Sequence, residues 1–402
     1  MGGPATPFHG EDMPRKAKSA PSVASSAKQN RERMAALASV AEEAGEWRPR
    51  REVLRKIEVV PTIFPQYDEQ VRVMGHPIGR ITLVHGPSTG GKTEFCLGLG
   101  LSFLKRGHFF AMADAERTTP DQWVRDTMRE YADHPGFIAL PVRTYEQVRV
   151  EIRKLCERVA KARDEGRLPD DTTGLIVVDS IRKLVPEKLF DNLKKALSDS
   201  ASAKKVVKDK GVDGFGGRAG QMKAALNAAW VDELVPLMAD TRMAIAIVTR
   251  ETKMDDADDS VPFWEKREGR DFKTGGGAAL FYDSSLSVRV KSQPVQVDKR
   301  LIGERKRLEL WKTKLEWRTE QVPVAHFHTS NGADGAPRGF DVARDLLELG
   351  LDLDVLTLSG SWIKFGRKRW QGSEKAVAAM RKDEGLRADV EEECRRRFGG
   401  DK

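Results

Sequence analysis

The chain has 402 residues, of which 39% are hydrophobic and 32% charged, enough to bury a full α/β core with one or two smaller appendages. No apolar run approaches membrane-spanning length and no signal-peptide pattern opens the sequence, so we expect a soluble cytoplasmic protein without a membrane partner. Its three cysteines are widely separated and match neither a disulfide framework nor a metal knuckle. The 69 Lys and Arg exceed the 61 Asp and Glu, and the net charge of +8 permits a polyanionic partner without proving one.

The first 60 residues show two patterns. Residues 1–27 are rich in Gly, Ala, Ser and Pro without periodicity, which predicts a disordered tail. In residues 28–45 apolar positions recur at helical spacing, which predicts an amphipathic helix. The rest of the segment 28–60 is predicted to be a basic linker. Such a helix needs a covering surface, either on its own domain or on a neighbouring subunit, and the periodicity leaves both open.

Residues 61–330 alternate strand and helix signals, which predicts a mainly parallel central sheet with helices on both faces. The predicted strands of this sheet are 81–85, 109–114, 137–142, 175–179 and 243–249. The clearest helices are 145–162 and 219–234, and Pro236 is expected to end or kink the second. Further strands, expected to be antiparallel, are 279–290, 307–315 and 322–328. Residues 331–402 predict a small α+β C-terminal domain, with a helix at 342–349, a turn region at 362–370 and two final helices.

A glycine-rich sequence, GPSTGGKT, follows the first central strand and precedes an apolar helix at 95–104. This order is typical of a phosphate loop, in which backbone N–H groups converge on phosphate oxygens and the lysine reaches the β and γ phosphates. The threonine hydroxyl can complete a magnesium shell. A chance glycine-rich turn is the structural alternative. The predicted nucleotide contacts are Gly86, Pro87, Ser88, Thr89, Gly90, Gly91, Lys92, Thr93 and Glu94.

Acidic residues follow two further strands. The string LIVVDS contains Asp179, which at the carboxyl end of a parallel strand would lie beside Thr93 and hold magnesium through water. The string ADAE contains Glu116, a carboxylate able to act as general base toward the water that attacks the γ phosphate. Trp123 could stack on adenine. As structural alternatives, Glu116 could cap a helix and Trp123 could belong to the core.

Four strings, GRITLVHGPSTGGKT, ADAERTTP, LIVVDS and TGGGAALFYDSSLSVRV, together resemble the bacterial RecA and phage UvsX recombinases. The resemblance covers most of the chain, including its C-terminal segment. It implies a RecA-like ATPase core, with ATP and Mg²⁺ as cofactors, that forms filaments on single-stranded DNA and pairs it with a homologous duplex in recombination and repair. Single-strand-binding and mediator proteins would be further partners.

The resemblance also implies residue roles. Lys92 and Thr93 would bind phosphate and magnesium, Asp179 would assist the metal, Glu116 would activate water, and Trp123 would stack on adenine. In the strand 307–315, Lys312 and Lys314 match a pair that reaches the ATP of the adjacent protomer, and positions two apart share one strand face.

Arg250 departs from the family pattern, because the family usually has a Gln or His there that senses the γ phosphate. An arginine at this position could still sense the charge of the γ phosphate.

Two segments resemble the family's DNA-binding loops. The first loop, 186–217, is lysine-rich and ends in a glycine cluster. The second loop, 251–277, mixes cations with aromatic residues, a composition suited to phosphate contact and base stacking. The predicted DNA contacts are Lys204, Lys205, Lys208, Arg218, Phe263, Trp264, Lys266, Arg267, Arg270 and Lys273.

Two other functions stay open at this point. One is a ring-forming ATPase of the same core, a helicase or branch-migration motor, although the sequence shows none of the additional domains such motors carry. The other is an ATP-switched DNA-coating filament protein with little turnover. An intact Glu116 argues against the second, while Arg250 leaves it open. The sequence does not decide between a ring and a filament.

Overall fold

The computed structural model describes residues 28, 31–36, 39–40, 57–187, 217–253, 272–297, 299–315, 322–329 and 338–399. The chain divides into two units, residues 1–56 and 57–402. In the first unit the described residues are helical and exposed. Met34 and Val40 are 65% and 54% exposed. Docking of this helix on a neighbouring subunit stays a prediction.

The second unit contains the strands and helices that matter for the site. Its strands are β1 Val59–Val60, β2 His76–Pro77, β3 Ile81–His85, β4 Phe109–Asp114, β5 Phe137–Ala139, β6 Gly174–Asp179, β7 Ala244–Val248, β8 Glu251–Lys253, β9 Phe272–Thr274, β10 Leu286–Val297, β11 Arg300–Thr313, β12 Val324–His328, β13 Gly339–Phe340, β14 Thr357–Ser359, β15 Trp362–Phe365 and β16 Lys368–Gln371. Its α-helices are α1 Pro65–Gln70, α2 Lys92–Leu104, α3 Asp121–Met128, α4 Tyr145–Asp164, α5 Gly217–Thr241, α6 Ala278–Asp283, α7 Val342–Asp352, α8 Ser373–Lys382 and α9 Glu384–Gly399.

Within the described residues, nine strands form the central sheet in the order β13-β12-β11-β10-β3-β7-β6-β4-β5. The strands from β10 to β5 in this order pair in parallel. The strands from β10 to β13 pair antiparallel. The prediction of a mainly parallel central sheet flanked by helices is therefore confirmed.

The central strands are apolar on both faces because helices cover both faces. Every residue of β3, β6 and β7 is buried. On one face they pack with α2, through residues such as Phe95 and Phe103. On the other they pack with α4 and α5, through residues such as Ile152 and Trp230. Because these strands are parallel, their carboxyl ends lie at one edge of the sheet, where ligands bind in such folds.

The structure corrects several predicted boundaries. The predicted strand 279–290 opens instead with α6, and β10 starts at Leu286 and pairs parallel with β3 as well as antiparallel with β11. Burial of Leu280 and Phe281 against the core favours the helical turn. Pro236 does not end α5, which continues to Thr241 because Leu234 and Met238 are fixed in the core.

The predicted turn region 362–370 was also wrong. It contains β15 and β16, which form a three-stranded antiparallel sheet with β14. This sheet packs with α7, α8 and α9 around a separate apolar cluster that includes Leu346, Ile363 and Val377. Among the described residues, no helix has the length and apolar character needed to cross a bilayer.

Candidate nucleotide site and DNA interface

The phosphate loop, residues 86–93, connects β3 to α2 at the carboxyl edge of the sheet. Two of its glycines show why side chains are excluded here. A Cβ at Gly86, whose φ is +149°, would lie 2.2 Å from the carbonyl oxygen of Val290. Gly91 is the N-cap of α2 and has the left-handed φ of +88°, which L side chains rarely adopt. The loop therefore keeps the first N–H groups of α2 available for an anion.

Lys92 turns back over this loop. Its Nζ donates to the carbonyl oxygen of Pro87 at 2.6 Å and to that of Gly86 at 3.2 Å. Burial lowers the pKa of Lys92, and the nearby Asp179 carboxylate opposes that shift. The ammonium group is thus held at the loop, where phosphate oxygens would attract it.

Thr93 and Asp179 meet as the sequence predicted. The Thr93 Oγ1 hydroxyl donates to Asp179 Oδ2 at 2.6 Å. Burial raises the pKa of Asp179 to about 6, which a neighbouring cation would reverse by favouring the charged carboxylate. A hydroxyl and a carboxylate oxygen are ligands that Mg²⁺ prefers, so this pair fits a magnesium site.

Glu116 receives two donors from neighbouring strand ends. Ser180, directly after β6, donates from Oγ to Glu116 Oε1 at 2.7 Å. Arg250, just beyond the end of β7, donates from Nη2 to Oε2 at 3.0 Å. Burial alone would raise the pKa of Glu116, but these two partners outweigh it and leave the pKa below its ordinary value. The carboxylate is therefore charged and able to accept a proton.

The structural alternatives for two residues are excluded. Glu116 does not cap α3, because the N-cap of that helix is Pro120. Trp123 is not a core residue, because it is 44% exposed on α3. Stacking of its ring on adenine stays a prediction.

Lys312 and Lys314 have different surroundings. Lys312 Nζ donates to the carbonyl oxygen of Phe281 at 2.5 Å and also to that of Tyr282, at the C-terminal end of α6. Lys314 is exposed just beyond the end of β11. Their predicted contact with a neighbouring protomer stays a prediction.

Most predicted DNA contacts lie outside the described residues. These are Lys204, Lys205, Lys208, Phe263, Trp264, Lys266, Arg267 and Arg270. Arg218 and Lys273 are described only as members of α5 and β9. The flanks of the second loop are described: β8 and β9 pair antiparallel, with Glu251 opposite Thr274. The second loop therefore starts and ends beside Arg250.

Sequence reasoning missed Lys306 on β11. This side chain is 1% exposed, and a Cβ at Gly91 would lie 2.7 Å from its Nζ. Lys306 pairs with Glu304, and its Nζ lies 3.9 Å from Glu94 Oε1. Glu94, predicted as a nucleotide contact, therefore lies near the buried Lys306, which packs against Gly91 of the phosphate loop. Because Lys306 lies in a strand with several other cations, nothing in the sequence indicated that this lysine is buried beside the phosphate loop.

Sequence reasoning also missed a buried cluster of His85, Glu251 and Arg289. His85 Nδ1 lies 2.7 Å from Glu251 Oε1, and Arg289 Nη2 donates to Glu251 Oε2 at 2.9 Å. The three residues are far apart in sequence, and only the pairing of β3 with β10 and the return of the chain after β7 bring them together.

The mainly parallel nine-stranded sheet, with a phosphate-loop sequence at the carboxyl edge of its parallel strands, agrees with the RecA-like α/β fold. No family model matches the chain. It is 26% identical over 348 residues to a Protein RecA of Thermus thermophilus, covering 86% of this chain and 87% of the relative. It is 25% identical over 352 residues to Protein RecA of Deinococcus radiodurans, covering 85% and 79%. The resemblance to RecA in the sequence motifs is therefore confirmed.

Proposed function

We propose that the chain is an ATP-dependent DNA recombinase that forms filaments on single-stranded DNA and pairs it with homologous duplex DNA in recombination and repair. The observation that carries the proposal is the convergence of Lys92, the Thr93–Asp179 pair and Glu116 at one edge of the sheet. Similarity to RecA proteins over most of the chain supports the same function. A cytoplasmic location follows from it.

The site residues suit hydrolysis of the terminal phosphate of ATP. Backbone N–H groups of the loop and Lys92 would hold the β and γ phosphates. Thr93 and Asp179 would hold Mg²⁺, which would supply positive charge beside the phosphate oxygens. Glu116 would take a proton from the attacking water as the bond from the γ phosphorus to its bridging oxygen breaks, giving ADP and phosphate. Arg250 lies beside Glu116 and would sense the γ phosphate.

DNA binding and assembly complete the proposal. The second loop, beginning next to Arg250, would contact single-stranded DNA through its cations and aromatic rings. The first loop would add further lysine contacts. Lys312 and Lys314 would reach the ATP of a neighbouring protomer, so that turnover depends on a filament. Single-strand-binding and mediator proteins would assist loading.

Lys92→Ala tests the function directly. We expect ATP turnover and strand exchange between circular single strands and homologous linear duplex to be abolished, because no other side chain of the loop carries a cation. Lys154→Ala is the matched control, since Lys154 is an exposed lysine paired with Glu151 on α4. Undiminished turnover in Lys92→Ala would refute the site. Turnover with duplex unwinding but no exchange would indicate a ring motor, which electron microscopy with single-stranded DNA and a slowly hydrolysed ATP analogue would show.

A further inference from the structure

The buried cluster of His85, Glu251 and Arg289 is not used by the proposed chemistry, yet its ionic groups are almost fully removed from water. The side chains of His85, Glu251 and Arg289 are 0%, 6% and 11% exposed. Arg289 also places its Nε 2.8 Å from Glu251 Oε1. His85 Nε2 lies 2.8 Å from Ser287 Oγ, so both ring nitrogens have polar neighbours. A carboxylate only accepts, which means that His85 Nδ1 carries the proton toward Glu251.

Two aromatic residues enclose the arginine. The guanidinium carbon of Arg289 lies 3.9 Å from the ring centroid of Phe272 and 5.3 Å from that of Trp311. The two rings meet edge to face, with centroids 4.9 Å apart. Phe272 begins β9 near the end of the second loop and packs on the guanidinium of Arg289, which pairs with Glu251, the first residue of that loop.

Members of this cluster adjoin residues of the proposed site. His85 precedes Gly86 of the phosphate loop, Glu251 follows Arg250, and Trp311 precedes Lys312. The backbone bonds add to this arrangement: the N–H of Glu251 donates to the carbonyl oxygen of Gly86 at 3.2 Å. The N–H of Gly275 donates to the carbonyl oxygen of Arg250 at 2.9 Å. The backbone of Arg250 is therefore fixed from the phosphate loop on one side and from the end of the second loop on the other.

A buried ionic cluster has few alternative arrangements. Burial would raise the pKa of Glu251, but the hydrogen bonds from His85 and Arg289 outweigh it and keep the carboxylate charged. Moving one partner away would leave a charge without compensation in a medium of low polarity, which is strongly unfavourable. The cluster is thus suited to hold a neighbouring side chain in one place.

We infer that Glu251 is a positioning residue: its buried contacts with His85 and Arg289 fix the backbone so that the Arg250 guanidinium meets Glu116, and Phe272 makes this placement depend on the second loop. This inference rests on the proposed ATPase function. Arg250 touches the proposed base, whereas Glu251 acts only through Arg250. Removing the Glu251 charge should lower the rate of the chemical step without weakening nucleotide binding, because Lys92 and the phosphate loop stay in place.

A double-mutant cycle tests the inference. We compare wild type, Glu251→Gln, Arg250→Ala and the double variant, measuring kcat and KM for ATP with and without single-stranded DNA, and binding of a fluorescent ATP analogue. Glu251→Gln should lower kcat by about tenfold to 100-fold with unchanged nucleotide binding. Combined with Arg250→Ala it should cause little further loss, because residues acting through one another are not additive. Effects that multiply independently would overturn the inference.

Glu309→Gln is the matched control. Glu309 Oε2 lies 3.8 Å from Arg289 Nη1, so the same arginine is approached by a carboxylate that does not adjoin Arg250. This variant should keep its kcat, and an equal loss in Glu309→Gln and Glu251→Gln would show a purely structural role. If Glu251→Gln does not fold, Phe272→Leu replaces it in the same cycle, since it keeps every charge. A wild-type chain without ATP turnover would refute the proposed function itself, not this positioning role.

Discussion

Ser180 and Arg250 reach Glu116 from the ends of two adjacent strands, and this determines how the carboxylate can work. Both donors stabilise its charged form, which must be present for it to accept a proton. Nucleotide binding at Lys92 does not depend on the negative charge of Glu116. The geometry at single residues therefore separates catalysis from binding.

The first prediction follows from this separation. Glu116→Gln should keep nucleotide and DNA binding but lower hydrolysis by about 10²–10⁴-fold, because an amide keeps the shape but cannot act as a base. Parallel measurements of fluorescent-nucleotide affinity and phosphate release check it. Normal phosphate release in the variant would remove Glu116 from the mechanism.

Among whole elements, β11 and the residue just beyond its end carry the proposed link between protomers. Lys312 is held by the end of α6, while Lys314 is exposed. We expect Lys312→Ala and Lys314→Ala each to lower DNA-stimulated hydrolysis, because each site would be completed by a neighbour. Mixing the doubly substituted lysine variant with Lys92→Ala should restore activity at shared sites. If mixed assemblies form without recovered activity, the shared-site model loses its support.

The second loop makes a separate prediction about how DNA is held. Affinity for a single strand should fall with salt, with a log–log slope of about −0.7 per phosphate neutralised. Removing Arg267 and Arg270 together should make this slope shallower by roughly 1.4. In contrast, Trp264→Ala or Phe263→Ala should weaken binding by about 1–3 kcal/mol and leave the slope little changed. Salt titrations of binding to a labelled oligonucleotide check both. If none of the four substitutions changes affinity or slope, the lysine-rich first loop becomes the better DNA site.

At the scale of the whole second unit, the side chain of Asp341 links β12 of the central sheet to α8 of the C-terminal elements. Its carboxylate, 2% exposed, accepts from Arg381 of α8 at 2.6 Å and lies 2.9 Å from His328 Nε2 of β12. Burial would raise the pKa of Asp341, but these partners outweigh it and hold the pKa well below its ordinary value. The native state thus binds fewer protons at this group than the unfolded chain does in acid, so stability rises with pH there.

We therefore expect Asp341→Asn to lower the free energy of unfolding by roughly 3 kcal/mol at pH 7, because it leaves Arg381 without its buried partner. The stabilisation from Asp341 is fully present above the unfolded pKa and is lost as pH falls toward the lower folded pKa, so the difference from wild type should shrink below about pH 4. Urea unfolding of wild type and variant at pH 7 and below about pH 4 checks this. Asp133→Asn, which removes an exposed partner of Arg125, should change little. A difference independent of pH would contradict the assignment.

The local sequence determined the order of strands and helices, the phosphate loop and the acids at strand ends. Buried apolar runs such as β3 and β6 and the glycines of GPSTGGKT impose strong local constraints, so their positions could be predicted. Strand-end positions also predicted that Thr93 and Asp179 meet, because parallel strands end at one edge.

Only the tertiary structure decided what depends on contacts between distant residues. Pro236 lies inside a helix and 362–370 forms strands because packing outweighs local preference. The buried positions of Lys306 and of His85, Glu251 and Arg289 have no local pattern. The charge of Lys306 is tolerated because Glu304 of the same strand and Glu94 of α2 lie beside it. The charges of Glu251 and Arg289 are tolerated because these residues meet from different strands, and which strands meet is set by the fold, a property that no short segment of sequence contains.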